Sequence, residues 1–502
     1  MSSEEKPEAK DEKSPGAFSL SCMFSQRWLL SYVGLLGGSI LYAARANLSV
    51  AIVCMVNDTD SNVTTSISER AEFYWTKGEQ SGILSAYFYG YIFTQIPAGI
   101  LASKYGGKYV MFIGMLIGSI VSLLLPIGAR TSIYLVYVLR VILGVCQGVY
   151  FPSLQSMWGR WAPPLERTKL TAVCYSGTQF GSIATFAISG FMCIYGFDNG
   201  WGSIFYVTGG ISLLWCGLWY ITVASTPAEH PRITERERNY IISSIGKNKR
   251  GSQQWAALLK SPATWACLAA QVCSNWITYT LLTNIPTFQK EVLDFNIAEN
   301  GLLSAIPYLS QAVSGMLAGQ VADYVRSRKY LSTTATRRIF QSMAFIGAAA
   351  CLIGTGFVDV EHRYVAIVLL TIAMWFVGFA SAGYVVNTVD FAPRYAGILF
   401  GLDNAAATVP GMVAPLLAGA LTPNKTQEEW RNVFYVCAGF CALGTLVFGS
   451  LARGELQPWA MDQVEVDVDV DMGKGKDDPE VSGNALHSDD TKKEMTDTST
   501  QL

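Results

Sequence analysis

The chain has 502 residues, of which 51% are hydrophobic and 15% charged, with a formal net charge of −2 at pH 7. A soluble domain carries about 25% charged residues, so too little charge is present to cover a water-facing surface of this size. The near-neutral balance also excludes the basic footprint of a nucleic-acid partner.

In chain order, residues 1–27 are polar and rich in Glu, Lys and Ser, with no apolar core. They form no secretory signal, so the first apolar span must itself direct insertion, and we read 1–27 as a disordered tail. Apolar spans then alternate with polar turns at 28–54, 80–102, 108–129, 132–157, 168–195, 201–223, 263–288, 297–322, 338–357, 364–389, 396–421 and 429–452. At 1.5 Å per residue, spans of this order cross a hydrocarbon core about 30 Å thick. The expected fold class is an all-α membrane protein with twelve transmembrane helices, lodged in a lipid bilayer. Residues 28–223 form one six-helix half and 263–452 the other. The polar linker 224–262 joins them, and Thr234-Glu235-Arg236-Glu237 reads as a capping box opening a short helix within it. Residues 453–502 turn acidic and read as a disordered tail.

An even number of spans puts both termini on one side. Most loop Lys and Arg fall on that side, which makes it cytoplasmic by the positive-inside bias. The acceptor sequons at Asn57, Asn62 and Asn424 fall in loops assigned to the opposite side, with Asn62 the favoured glycosylation site. Asn57 lies close to the membrane, and the sequon at Asn47 sits inside the first span, where no sugar could be attached. Most of the eleven cysteines, such as Cys146, Cys174, Cys267 and Cys351, fall in apolar spans and read as small hydrophobes rather than a disulfide framework. The last residues, Thr500-Gln501-Leu502, fit a C-terminal ligand for a PDZ scaffold. The N-terminal tail holds no acidic dileucine signal.

The two halves carry a repeat. Leu84-Ser85-Ala86 recurs as Leu303-Ser304-Ala305, and Gly99–Lys104 is echoed by Gly319–Tyr324 at almost the same offset, each followed by a basic turn. Duplicated halves are a transporter device.

Charged residues inside apolar spans are costly and point to function. Arg45 lies nine residues before the outer end of the first span, and Arg140 eight residues after the outer start of the fourth. Both therefore sit about 12–14 Å below the outer surface. Two guanidiniums at one depth call for an anion beside them, since the guanidinium fork suits carboxylate or phosphate. The alternative is a pair of structural arginines satisfied by carbonyls. Asp403, beside Asn404 in the eleventh span, is a candidate coupling carboxylate, by titration or by binding sodium. It could instead pair with a neighbouring helix or face water. Asn275 and Tyr279, with Tyr87 and Tyr91, could line the path or serve as packing anchors. The three histidines lie in polar loops or tails, no Cys/His ligand spacing occurs, and no nucleophile or phosphate loop supports an enzyme.

The turns GILASKYGGK at 99–108 and GQVADYVRSRK at 319–329 resemble the loop signature of the major facilitator superfamily. That resemblance implies a cytoplasmic latch built from Lys104, Lys108, Asp323, Arg326 and Arg328, with Ser103 standing where the first half would carry its acid. The blocks YAARANLSVA (42–51), YFYGYIFTQIPAGILASKYGGK (87–108), WAPPLERTKL (161–170), NWITYTLLTNIPTF (275–288), DFAPRYAGILFG (390–401) and TVPGMVAPL (408–416) resemble its anion transporter family. That family includes sialin, the vesicular glutamate transporters and the type I sodium–phosphate cotransporters. The resemblance, strongest to the sialin-like members, implies a monomeric major facilitator fold. It further implies alternating-access transport of a small anion of the sialate, phosphate, urate or acidic amino acid class, with Arg45 and Arg140 as substrate and coupling residues. No resident cofactor is implied, only Na+ or H+ as coupling ion, at a plasma or an endolysosomal or vesicular membrane. The chain departs from sialin-like members at Leu143 and Gln147, where they carry acids; Gln147, a candidate substrate ligand, resembles the phosphate and urate branch. Ser274-Asn275 replaces the arginine that the glutamate transporters carry in the seventh helix. The rival reading is a facilitator of a neutral solute whose buried arginines are structural.

Overall fold

The computed structural model describes residues 25–56, 71–163, 166–245, 255–392 and 395–460. The sequons at Asn57 and Asn62 and the PDZ-type C-terminus lie outside these residues.

The described chain is helical almost throughout. The first half comprises α1 (Gln26–Met55), α2 (Lys77–Tyr105), α3 (Gly107–Thr131), α4 (Ile133–Gln147), α5 (Tyr150–Trp161), α6 (Arg167–Tyr195) and α7 (Trp201–Thr222). Two short helices, α8 (Glu235–Ile245) and α9 (Trp255–Lys260), occupy the linker. The second half comprises α10 (Pro262–Glu291), α11 (Ile297–Ser327), α12 (Thr333–Thr355), α13 (Arg363–Gly378), α14 (Tyr384–Phe391), α15 (Ala396–Leu421) and α16 (Gln427–Leu451).

The helices begin where short polar side chains can take up the unpaired backbone N–H groups of a first turn. Thr76 with Glu79 and Thr426 with Glu429 form reciprocal capping boxes at α2 and α16. Asn296 and Ser332 cap α11 and α12 in the same manner. Gly106 ends α2 with φ of +91°, a backbone angle that favours glycine, and lets α3 start at once. The box expected at Thr234 forms only by half. The Thr234 hydroxyl accepts from Glu237 N, but the Glu237 carboxylate turns to α1. There it accepts from the backbone N–H groups of Gln26 and Arg27 and from the Arg27 guanidinium.

The predicted fourth and tenth spans are each broken in two. The fourth divides at Gly148, between α4 and α5, and the tenth at a 3-10 turn, Phe379–Ser381, between α13 and α14. The break recurs at the same place in both halves, as a duplicated architecture would have it. The described residues at either end also pack further than expected. Arg27 is buried at the start of α1, Gln457 N donates to Phe391 O, and Trp459 packs on Phe391 and Tyr395.

Ten of the transmembrane elements are long and apolar enough to cross a bilayer on those grounds alone. The other two, α2 and α10, are 29 and 30 residues long but more polar. Ridges such as Ile113, Ile117, Ile120, Leu124 and Ile127 on α3 are exposed, a pattern suited to lipid and wasteful in water.

Within the first half α1 packs on α6 and α7, and α2 on α4; within the second, α12 packs on α16 and α10 on α16. The halves meet mainly along α2 against α15 and α6 against α11, with a smaller contact of α1 on α10. We call the membrane face that bears the start of α1 and the end of α16 the tail side, and the opposite face the far side. On the far side a disulfide joins Cys54 of α1 to Cys193 of α6. This corrects the reading of the cysteines for that pair; eight others remain thiols. The far side is closed across the halves by the ion pair Lys77–Glu291 and by Lys290 Nζ donating to Val53 O at 3.1 Å, while Trp430 Nε1 of the second half donates to Glu291 at 3.2 Å and holds it in place.

Candidate functional site

Helices α2 and α4 meet backbone to backbone because two glycines permit it. A Cβ on Gly90 would lie 1.9 Å from Val141 O, and one on Gly144 1.9 Å from Tyr87 O. This contact sets Tyr87 of α2 beside Gln147 of α4, and its hydroxyl donates to Gln147 Oε1 at 2.9 Å. The Tyr87 ring also lies between the two arginines: the guanidinium carbons of Arg45 and Arg140 are each 5.2 Å from its centroid. The structure thus brings Arg45, Arg140, Gln147 and Tyr87 into one layer.

Arg45 occupies an aromatic cage. Its guanidinium stands 4.7 Å from the Tyr42 and Tyr91 ring centroids, with Phe88 and Tyr279 slightly further off. Such contacts stabilise a desolvated cation. Its Nη1 donates to the Tyr279 hydroxyl at 2.9 Å, and its Nη2 to the Tyr87 hydroxyl at 3.4 Å. Tyr279 belongs to α10, so the first of these bonds crosses the halves. Arg140 donates from Nη1 to Ala44 O at 3.2 Å. The Nε atoms of both arginines have no hydrogen-bond partner. Arg45 is 3% exposed and Arg140 1%, and among the described residues neither forms an ion pair. Phenols and one carbonyl therefore surround two buried positive charges, with donors left over.

Asn275 stands apart in this conformation: its amide donates to Gln271 O of its own helix at 2.9 Å. Asp403 is buried on α15, with Oδ1 unpartnered, and the neighbouring Asn404 donates to Gln95 Oε1 of α2 at 2.7 Å across the seam.

Toward the tail side a set of rings that the sequence did not single out covers the arginine layer. Tyr175 of α6 stacks on Phe400 of α15, with centroids 5.9 Å apart and planes 7° from parallel. Phe151 of α5 leans on both. Aromatic residues are common in membrane spans, so no sequence signal marked this plug.

The expected latch residues are distributed differently from the expectation. Lys104 and Arg328 are exposed, each over a tyrosine of its own helix, and Lys108 lies over Tyr220. Asp323 is exposed and, among the described residues, pairs only with Arg326, at 3.9 Å. The acid that binds the second half on the tail side is Asp390, which holds Arg337 at 2.7 Å and Arg326 at 3.6 Å. In the first half, Arg160 donates to the Ser103 carbonyl in place of a carboxylate, while Arg27 binds Glu166 and Glu237. On the far side the Asn424 amide donates to Glu429, and Thr426 caps the same helix, so this sequon is folded into the α16 cap.

Residues 34–402 match the family model of the Major Facilitator Superfamily. The chain is 40% identical to sialin of Homo sapiens over 457 residues, covering 87% of this chain and 91% of sialin. It is 37% identical to the human vesicular glutamate transporter 2 over 444 residues, covering 87% of this chain and 75% of that protein. Among solved structures, a bacterial homologue of the human lysosomal transporter Spinster in an inward-facing, occupied conformation superposes with a TM-score of 0.67 at 12% identity, over 86% of this chain and 99% of that one. A D-xylose–proton symporter gives 0.66 at 15% identity with the same coverage. These two likenesses speak for the fold, while the relatives at higher identity are transporters rather than enzymes. The chain is a multi-pass membrane transporter of the Major Facilitator Superfamily and belongs, within it, to the anion transporter family that includes sialin and the vesicular glutamate transporters.

Proposed function

We propose that the chain carries a small organic or inorganic anion across a membrane by alternating access, with Arg45 and Arg140 as the cations that receive it. One observation carries this reading: two guanidiniums, almost fully buried and without an acid among the described residues, share the ring of Tyr87. An arginine at the bilayer centre costs about 2.5–3.5 kcal/mol on insertion scales, and a bound carboxylate or phosphate would offset that cost by bidentate bonds. The substrate class is that of sialate, phosphate, urate and acidic amino acids. Gln147, held by Tyr87, supplies an amide for an oxygen or a ring nitrogen of the substrate.

The tail side is the cytoplasm in this reading. Loop Lys and Arg concentrate there, and the Cys54–Cys193 bridge lies on the opposite face, as an oxidising exterior or lumen requires. In the cycle, the anion reaches the arginines when the Lys77–Glu291 pair and the Arg45–Tyr279 bond part. Its charge replaces the phenols, the far side closes again, and separation of Phe400 from Tyr175 and Phe151 opens the route to the tail side.

Counterflow into liposomes tests this, with labelled sialate, phosphate, urate and glutamate offered in turn. The wild type should exchange at least one of them saturably, and Arg140→Ala should abolish that exchange while remaining monodisperse. Exchange of a neutral solute alone, or an Arg140→Ala protein that transports normally, would overturn the reading in favour of structural arginines.

A further inference from the structure

Among the described residues, three buried or half-buried acids of the bundle are held by cations, and Asp403 is not. Glu291 is paired with Lys77, Asp390 with Arg337, and Glu237 with Arg27. Asp403 is 7% exposed, its Oδ1 has no hydrogen-bond partner, and among the described residues no cation stands within ion-pair distance. An isolated carboxylate in a low-dielectric interior neutralises rather than remain charged. We propose that Asp403 is the proton-carrying group of the transport cycle, loaded when the seam between α15 and α2 is sealed and unloaded when that seam opens. The proposal rests on the transport reading above.

Its surroundings fit a proton better than a metal cation. Among the described residues, the ionisable groups in electrostatic contact with Asp403 are the Tyr384 phenol of α14 and the Cys267 thiol of α10, both of types that are neutral near pH 7. From α2 the uncharged Gln95 bonds to Asn404, the residue next to Asp403. A thiol is a poor ligand for a hard cation. Beside Cys267, Asn387 donates to the sulfur at 3.3 Å and keeps an unpartnered Oδ1, and Gln95 keeps an unpartnered Nε2. Around Asp403 the described residues therefore offer neutral donors and acceptors to spare but no cation.

Position links the group to the conformational cycle. Asn404, the next residue, holds the bond to Gln95 that crosses the halves. Any motion of α15 against α2 breaks that bond and changes the access of water to Asp403. The residue lies seven positions into α15, about 10 Å from its tail-side end by helical rise. The step is a simple transfer: a proton from water on one side joins the carboxylate oxygen, and leaves to water on the other.

The test uses the full chain in liposomes, as wild type, Asp403→Asn and Asp403→Glu, with the anion found by counterflow. The readout is the ratio of uptake driven by an imposed pH gradient to exchange without one. Asp403→Asn should lower this ratio at least tenfold, and Asp403→Glu should keep the coupling with a shifted pH midpoint. A ratio unchanged in Asp403→Asn, or drive by a sodium gradient alone, would overturn the proposal while leaving anion transport standing. If Asp403→Asn does not fold, a pH midpoint identical in wild type and Asp403→Glu does the same. Difference infrared spectroscopy gives a readout apart from transport. The band of a protonated carboxyl should be present in the wild type near pH 7 and lost in Asp403→Asn; its absence from the wild type refutes the proposal whatever the anion assays show.

Discussion

Arg140 in the first half and Arg337 in the second are equally buried, at 1% and 2% exposure, yet they are satisfied in opposite ways. Arg337 lies at the tail-side start of α12, bonded to Asp390 at 2.7 Å and to Ala382 O at 2.8 Å. Arg140 lies deep in the bundle with one carbonyl and an aromatic ring. The first is what a structural arginine looks like when the fold supplies its acid. The second is an arginine whose counter-charge the fold withholds. Burial alone would not have separated them; the partner does.

The comparison can be broken at four points, the largest effect first. Arg337→Ala leaves the largely enclosed Asp390 with only Arg326, at 3.6 Å, among the described residues, and should cost about 3–5 kcal/mol of stability, read as a large fall in melting temperature in detergent. Arg140→Ala should shift melting far less but cut anion exchange about a hundredfold or more, the worth of one or two charge-assisted bonds to the substrate. Equal melting losses in the two variants would erase the distinction. Phe400→Ala should loosen the plug by about 0.5–1.5 kcal/mol, the worth of an aromatic pair. A cysteine placed at Tyr175 should then react several-fold faster with a membrane-impermeant reagent from the tail side. The smallest effect lies at Glu72 in the far-side loop, where hydrogen bonds from Arg130 hold the carboxyl below its ordinary value of 4.5. This contribution is fully present above pH 4.5 and is lost as the pH falls through the lowered value. Solvent exposure keeps it under about 1 kcal/mol, and Glu72→Gln should flatten the acid limb of a stability–pH curve.

The spans and the two halves were legible because hydrocarbon thickness imposes a length and apolarity that any sequence must declare. Arg45 and Arg140 were legible for the same reason inverted: a charge inside such a span has no ordinary explanation. The breaks at Gly148 and at Phe379–Ser381 were not, since glycines and small residues sit in continuous membrane helices too. Choosing between Asp323 and Asp390 as the latching acid required knowing which one faces Arg337, a matter of three dimensions. The plug of Phe151, Tyr175 and Phe400 left no mark, because an aromatic ring in a span reads the same whether it packs, anchors or gates. Asp403 was visible as an acid within a span, but that its Oδ1 has no partner among the described residues appears only in three dimensions. The two bridged cysteines, Cys54 and Cys193, looked no different from the eight thiols.

The bond from Arg45 to Tyr279 carries a kinetic consequence. On the proposed cycle, a carrier that returns empty would move a bare guanidinium through the closed state, and the phenol of the opposite half would take the place of the anion while it does so. Tyr279→Phe takes that stand-in away without touching the charge. It should slow the unloaded return more than the loaded one, so that net uptake falls while one-for-one exchange persists. The tyrosine would then decide whether the protein acts as a pump or only as an exchanger.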